Sequence, residues 1–193
     1  FLQLIQSVPI GEFVYSSDSM GGGDPEESST DAQLYMKLHD AIVAKGIPYN
    51  KAKMGDKLDW GSDIKVDVLH AEDKSALKRG FELPEANSFD RAGSDTVKVS
   101  ANEQSLIIKL TAGKISYLFT GDAERGAEAA AINVFRDKLQ CTVIKSGHHG
   151  SKTSSGNPLM DLARPEYGVI SVAAKNSFGH PNKETLEKYA FYK

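Results

Sequence analysis

The sequence is poor in cysteine and in long apolar runs. Cys141 is the one cysteine among 193 residues, which excludes an internal disulfide. It opens an apolar strand, and because a nucleophilic thiol would need a basic partner within reach, a buried, unreactive thiol is predicted. No apolar run approaches the roughly 20 residues of a membrane span, and no charged-then-apolar signal segment is present. The chain is therefore expected to contain no membrane segment.

Net charge is also low. The formal charge is −3, with 40% hydrophobic and 25% charged residues, and the isoelectric point is near 6.0. Such a balance excludes tight, nonspecific binding of nucleic acid across the whole surface, so any attraction for phosphate has to be local. The length and composition predict one substantial hydrophobic core.

Most of the polar chemistry lies in one stretch, Leu118–Ser155. It contains an apolar strand ending in Thr120-Gly121-Asp122, an alanine-rich helix, and a second apolar strand ending in Gly147-His148-His149-Gly150. Two strands joined in this way deliver the residues after their carboxyl ends to one edge of a sheet, where active sites of open α/β sheets lie. A strand–helix–strand unit with its chemistry at one edge is therefore predicted. The inward face of the helix is predicted to be Ala127, Ala130, Ala131, Val134 and Leu139.

Asp122, His148 and His149 are candidate metal ligands. A carboxylate suits a divalent ion, and imidazoles suit zinc, manganese or iron. A Gly-Asp pair after a strand is usually only a turn, and a His-His pair alone is a weak signal, but their combination in one unit is more specific. Neighbours on an extended strand point to opposite sides, so sequence does not separate the two histidines. His149 is preferred because it abuts Gly150 and the hydroxyl-rich loop beyond.

That loop supplies candidate phosphate ligands. Ser151, Lys152, Thr153 and Ser154 follow the histidines and bring hydroxyls, a cation and backbone N–H groups. These groups are the ones that cradle phosphate oxygens.

Two other histidines end predicted strands. Gly179-His180-Pro181 follows the predicted strand Tyr167–Ala173, so His180 either contacts substrate or metal-bound water or only packs. His70 ends the alternating strand Ile64–His70 and is predicted to be structural. Between them, Leu106–Leu110 and Ile115–Thr120 are predicted to form a hairpin.

The motifs TGDAE, KSGHHGSKTSS and VISVAAKNSFGHP together resemble the second half of the metallo-β-lactamase-fold domain of ComEC-type DNA-uptake (competence) proteins and their free-standing relatives. The resemblance covers residues 64–193 best. It implies an α/β fold of the four-layer αββα sandwich type and a metal-dependent hydrolase that acts on phosphodiesters, DNA among them. It also implies two zinc or manganese ions in the intact domain, with catalytic roles for Asp122, His149 and His180. The parent protein would be extracytoplasmic or membrane-associated.

One departure from the family is clear. The string His-x-His-x-Asp-His, the strongest family signature, does not occur in the sequence. We therefore expect residues 1–193 to form a single incomplete domain that lacks the N-terminal portion with half of the metal ligands. Residues 1–16 are expected to form a helix and a strand, and 17–29 a flexible loop. Such a fragment is expected to hold no metal tightly and to be inactive by itself.

Two further expectations follow from an incomplete sandwich. A sheet face normally covered by the other half would be exposed, so a homodimer through the face of strand Leu106–Leu110 is predicted. The alternative to a hydrolase is a noncatalytic phosphate- or nucleic-acid-binding module with a degenerate metal site. The string His-x-His-x-Asp-His encoded upstream of Phe1 would distinguish the two.

Overall fold

The computed structural model describes residues 2–16, 30–72 and 101–192, except for the side chains of Thr30, Asp31, Ala32, Tyr35 and Ala101. The loop predicted at 17–29 lies outside the described residues. The chain divides into two compact units, Phe1–Ala52 and Lys53–Lys193. The expectation of one incomplete domain stays a prediction.

The first unit is small. Its elements are helix α1 (Leu2–Ser7), strand β1 (Phe13–Tyr15), helix α2 (Thr30–Ala44) and strand β2 (Tyr49–Lys51). Strands β1 and β2 pair in parallel. Ile5, Leu38, Ile42 and Ile47 form a buried apolar cluster between the helices and the chain that follows α2. The helix and strand predicted for residues 1–16 are both present.

The second unit contains a mixed sheet and three α-helices among the described residues. Its strands are β3 (Lys57–Asp59), β4 (Ile64–His70), β5 (Ile107–Ala112), β6 (Ile115–Phe119), β7 (Val143–Lys145) and β8 (Tyr167–Val169). Its helices are α3 (Arg125–Phe135), α4 (Asn157–Ala163) and α5 (Lys183–Phe191), with short 3₁₀ turns at Ala101–Gln104, Arg136–Leu139 and Gly147–Gly150.

The sheet order positions the predicted site. The strands lie in the order β3-β4-β5-β6-β7-β8. The pairs from β3 to β6 are antiparallel, including the predicted hairpin of β5 and β6. The pairs β6–β7 and β7–β8 are parallel. The residues that follow β6, β7 and β8 therefore meet at one edge, which confirms the predicted strand–helix–strand unit.

One face of this sheet is covered by helices. Leu118 and Ile144 from the sheet pack in one buried cluster with Ala127 and Ala131 of α3 and Leu159 of α4. Cys141 belongs to the same cluster. Burial raises the pKa of its thiol to about 11, although Lys109 acts in the opposite direction. The predicted burial of Cys141 is thus confirmed, and its low reactivity stays a prediction.

The opposite face of the sheet is only partly covered. Register places Ile108 beside Phe119 and Leu110 beside Tyr117, on the side away from Leu118. Phe119 stacks on Tyr117 with ring centroids 6.2 Å apart, and Phe119 remains 37% exposed. An apolar face with this exposure is compatible with the predicted homodimer, which stays a prediction.

The described residues thus form a mixed α/β structure, as expected from the sequence. No helix among them is both long and apolar enough to cross a bilayer.

Candidate functional site

The predicted site residues converge at the carboxyl ends of β6 and β7. Asp122 lies three residues after β6, and His148 and His149 lie beyond β7. The two segments are tied together because the backbone N–H of His148 donates to the carbonyl of Gly121 at 3.1 Å. At Gly147, a Cβ atom would lie 2.9 Å from Ser154 Cβ, so only glycine fits this approach.

His149 is held so that one ring nitrogen faces Asp122. Its Nδ1 lies 2.8 Å from the carbonyl oxygen of Ser171. Because a carbonyl only accepts, Nδ1 carries the proton and the lone pair of the neutral ring is on Nε2. That Nε2 lies 3.6 Å from Asp122 Oδ1. A ring fixed by a backbone carbonyl at one nitrogen is the usual arrangement of a metal-binding histidine.

Asp122 is supported from the strand side. Its backbone N–H donates to Ser105 Oγ at 3.1 Å. The preceding Gly121 adopts φ +54°, and a Cβ atom there would lie 3.0 Å from Ser105 Cβ. His70 in turn is buried, and its Nδ1 lies 2.8 Å from the carbonyl oxygen of Ser105. Burial lowers the pKa of His70, against the opposing effect of this hydrogen bond. His70 is thus buried and hydrogen-bonded to the residue whose hydroxyl holds the turn of Asp122, and its structural role stays a prediction.

His148 faces a different carboxylate. Its Nδ1 lies 3.3 Å from Glu124 Oε1, yet this buried atom makes no hydrogen bond of acceptable geometry. The same Glu124 oxygen accepts from Thr153 Oγ1 at 3.0 Å and from Asn102 Nδ2 at 3.3 Å. We therefore describe the contact between His148 and Glu124 as electrostatic. The two histidines therefore contact different carboxylates, His148 that of Glu124 and His149 that of Asp122.

The turn that presents the histidines has an unusual backbone. His148 has φ 46° and His149 has φ 55°, and Gly150 follows with φ 86°. Side chains of consecutive residues in this conformation do not alternate as they would on an extended strand. The assumption that the two rings point to opposite sides of a strand is therefore wrong, and the left-handed turn is what directs them.

The predicted phosphate ligands fall into two groups. Ser151 and Ser154 are buried. Ser154 Oγ donates to the carbonyl of Ala123 at 2.7 Å, and Ser151 Oγ lies 2.9 Å from Thr153 Oγ1. Their hydroxyls are thus engaged inside the protein. Lys152 is exposed, so among these four residues its side chain is the best placed to meet a ligand.

A buried carboxylate lies beneath this loop. Glu128 of α3 is 3% exposed. It accepts the backbone N–H of Ser155 at 2.6 Å and that of Gly156 at 2.9 Å. Lys188 of α5 donates to the carbonyl of Ser155 at 2.8 Å. Burial raises the pKa of Glu128 to about 7, although the two N–H groups and the charge of Lys188 lower it.

His180 completes the set of site histidines. Its ring meets that of His148 edge to face, with centroids 5.4 Å apart. Desolvation lowers the pKa of His180, and the neighbouring His148 and His149 lower it further. The structure therefore brings together Asp122, His148, His149 and His180, as the sequence predicts, with Glu124 as an unpredicted neighbour.

Within the described part of the chain, no group of three or more His, Cys, Asp or Glu side chains is arranged to hold a metal ion. Asp122 and His149 form a pair, and two ligands of one tetrahedral zinc ion lie roughly 3.3 Å apart when each is about 2.0 Å from the metal. The observed 3.6 Å between Asp122 Oδ1 and His149 Nε2 fits that requirement. The metal stays a prediction.

Sequence reasoning missed Glu124 and Glu128. The sequence positions could have indicated them, because Glu124 lies two residues after Asp122 and Glu128 is one helical turn further on. By contrast, the Ser171 carbonyl that fixes His149 has no sequence signal.

The comparisons with known proteins point to competence proteins. No model of a known protein family matches the sequence. Over 151 residues the chain is 35% identical to "ComE operon protein 3" of Bacillus subtilis, which covers 78% of this chain and 16% of the relative. It is 31% identical over 90 residues to "Competence protein ComA" of Neisseria gonorrhoeae (47% and 13%). It is 37% identical over 93 residues to "Recombination protein 2" of Haemophilus influenzae (48% and 11%).

The chain thus spans between 11% and 16% of the length of these relatives. Their names and identities support a ComEC-like competence family for this chain.

Proposed function

We propose that this chain is part of a metal-dependent phosphodiesterase of the metallo-β-lactamase type that hydrolyses DNA during competence. The observation that carries the proposal is the position of the His149 ring. Its Nδ1 is fixed by the Ser171 carbonyl at 2.8 Å, and its Nε2 lies 3.6 Å from Asp122 Oδ1. A ring nitrogen and a carboxylate oxygen at this distance are too far apart for a hydrogen bond and close to the spacing of two ligands of one divalent ion.

Asp122 and His149 would be two ligands of that ion, and His148 would be a third beside it. A catalytic zinc site uses three protein ligands, and a dinuclear site uses more. The metal would lower the pKa of a bound water and neutralise charge that develops on a phosphoryl oxygen. Glu124, which already accepts two hydrogen bonds, would orient His148.

Two other residues would act on the substrate. Lys152 would pair with a phosphate oxygen as an exposed cation, whereas His180, at the same edge, would hydrogen-bond the substrate. The choice of DNA rests on the competence relatives and on the resemblance to DNA-uptake proteins. An αββα sandwich is the fold that this proposal requires in the intact protein.

The test is metal content and phosphodiesterase rate in the full-length protein and its variants D122N and H149A. Both variants should lose metal and turnover, with little change in folding, because the side chains are 40% and 49% exposed. The matched control is D137N, since Asp137 is exposed in the 3₁₀ turn after α3. If D122N keeps both its metal and its rate, the assignment is wrong.

A second candidate is a noncatalytic module that binds phosphate or nucleic acid. It is favoured by the lack of a three-ligand group among the described residues. The same experiment separates the two, because such a module would bind an oligonucleotide without bound metal and without turnover.

A further inference from the structure

A large aromatic ring projects from the loop between β8 and α5. Phe178 is 77% exposed, although it lies two residues before His180 of the site. Exposing a phenylalanine ring to water forgoes the favourable burial of its apolar surface. Its position next to a candidate site calls for an explanation other than packing in the core.

The loop around Phe178 is well ordered by hydrogen bonds. Asn176 Oδ1 accepts the backbone N–H of Phe178 at 3.1 Å and that of His180 at 3.0 Å. Asn176 Nδ2 donates to the carbonyl of His180 at 2.7 Å. One asparagine side chain thus fixes both ends of the Phe178–His180 segment, so the ring is presented in a defined place.

Ring contacts connect Phe178 to the site. Phe178 stacks on His180 with centroids 5.8 Å apart and an interplanar angle of 27°. His180 in turn meets His148 edge to face at 5.4 Å. One face of the phenylalanine ring is therefore backed by an imidazole, and the ring is two contacts away from the histidine pair.

Asn182 connects the same loop to the exposed cation. Its Oδ1 accepts the backbone N–H of Lys152 at 2.8 Å, and its Nδ2 donates to the carbonyl of Gly179 at 3.1 Å. One asparagine thus joins the backbone of Lys152 to the backbone of Gly179, the residue after Phe178. A cation for the backbone phosphate and a ring for the base are the two parts of a site for single-stranded nucleic acid.

We propose that Phe178 is a stacking platform for an unpaired base of a single-stranded nucleic acid whose phosphodiester lies at Asp122 and His149. This proposal rests on the proposed function and names its substrate as single-stranded. In a duplex the faces of the bases are covered by their neighbours, so a protruding ring gains nothing there without unstacking them. The net charge of −3 also disfavours wrapping a duplex backbone across the whole surface.

The test is fluorescence anisotropy of the full-length protein, its metal left in place, with a labelled thymidine dodecamer whose phosphorothioate linkages resist hydrolysis. An abasic dodecamer keeps the phosphates and lacks the bases, and a duplex of the same length hides them. F178L should weaken binding of the thymidine strand by about 5- to 150-fold, the range that base–aromatic stacking gives. Binding of the abasic strand and of the duplex should change by less than about two-fold.

Two further variants serve as controls, one that keeps an aromatic ring at position 178 and one that changes an exposed phenylalanine elsewhere. F178W keeps a stacking ring and should bind the thymidine strand like the wild type. F191L changes another phenylalanine that is 81% exposed, at the end of α5, and should have no effect. Equal affinity of F178L and wild type for the thymidine strand would overturn the proposal. So would an equal loss for the abasic strand, a lower melting temperature with unchanged affinity, or a wild type that does not prefer the thymidine strand.

The outcome also separates this proposal from the proposed function. If no phosphodiester is hydrolysed but F178L selectively loses the thymidine strand, the platform stands and the hydrolase assignment fails. If hydrolysis depends on Asp122 but F178L binds normally, the hydrolase stands and the platform fails.

Discussion

Glu128 should make the stability of the Lys53–Lys193 unit depend on pH. Burial raises its pKa from 4.5 to about 7. Between these values the folded state keeps a proton that the unfolded state has lost, so stability falls as the pH rises through this window. Each pH unit corresponds to about 1.4 kcal/mol, so the shift from 4.5 to about 7 amounts to about 3 kcal/mol.

E128Q tests this effect, because glutamine carries no charge at any pH. Its amide nitrogen cannot accept the second backbone N–H that Glu128 binds, so the variant loses one hydrogen bond at every pH. The pH dependence is therefore the readout: between pH 5 and pH 8 the stability of the variant relative to the wild type should rise by about 2–3 kcal/mol, because only the wild type comes to bury a charge. Burial raises the pKa of Glu128 and lowers the pKa of Lys188, and each shift disfavours the charged form of its side chain.

The assay is urea unfolding between pH 5 and pH 8, followed by fluorescence of Trp60. This is the one tryptophan of the chain, and it lies in the same unit as Glu128. E166Q is the control, because Glu166 is exposed and its variant should follow the wild type at every pH. Other groups titrate in this range, notably His70, but their effects cancel in the comparison of E128Q with the wild type.

A stability difference that does not change with pH would refute the reasoning, as would one that changes in the opposite direction. Either result would mean that the two N–H groups and Lys188 outweigh the cost of burial.

Two other predictions concern single side chains. K152A should weaken substrate binding by about 1–3 kcal/mol, the range for a hydrogen bond to a charged group, and its metal content should not change. Michaelis constants and metal analysis of the variant check the two parts, and loss of the metal would contradict the prediction. Cys141, whose pKa is raised to about 11, should react with iodoacetamide at pH 8 only after denaturation, and rapid alkylation of the folded protein would disprove its burial.

Much of the sheet could be predicted because its signals are local. The bounds of β4 agree with the alternating pattern of Ile64–His70, and the hairpin of β5 and β6 follows from the turn at Gly113. Strand β8 is shorter than predicted, since Tyr167–Val169 pairs and the following residues do not. The reason lies at the site, where the chain leaves the sheet and Ser171 turns its carbonyl toward His149.

The face of α3 was predicted less well. Ala127 and Ala131 are buried as predicted, but Val134 is 60% exposed. Ile132 and Phe135 pack against the core instead. At 100° per residue, the face centred between Ala131 and Phe135 lies about a quarter turn from Val134. Alanine is tolerated on any side of a helix, so the alanines do not specify which side is buried. The charged Glu128 on the buried side further obscures the apolar pattern.

The site was predicted in composition but not in geometry. Asp122, His148, His149 and His180 do converge, because parallel strands bring their carboxyl ends together. Which histidine faces which carboxylate depends on the left-handed backbone and on a carbonyl from a distant segment. Neither feature is encoded in the identity of the neighbouring residues.

The turn that presents the histidines has a consequence for protein engineering. A left-handed backbone costs an ordinary residue about 1–2 kcal/mol, and both His148 and His149 adopt it. A Cβ atom at Gly150 would lie 2.7 Å from Pro181 Cβ, which itself precedes α5. The five residues from Gly147 to Ser151 therefore do not form a transplantable motif. Copied into another protein without the surrounding Ser154, Pro181 and Ser171, the same five residues would adopt an ordinary turn, and the two imidazole rings would no longer be held in their present orientations.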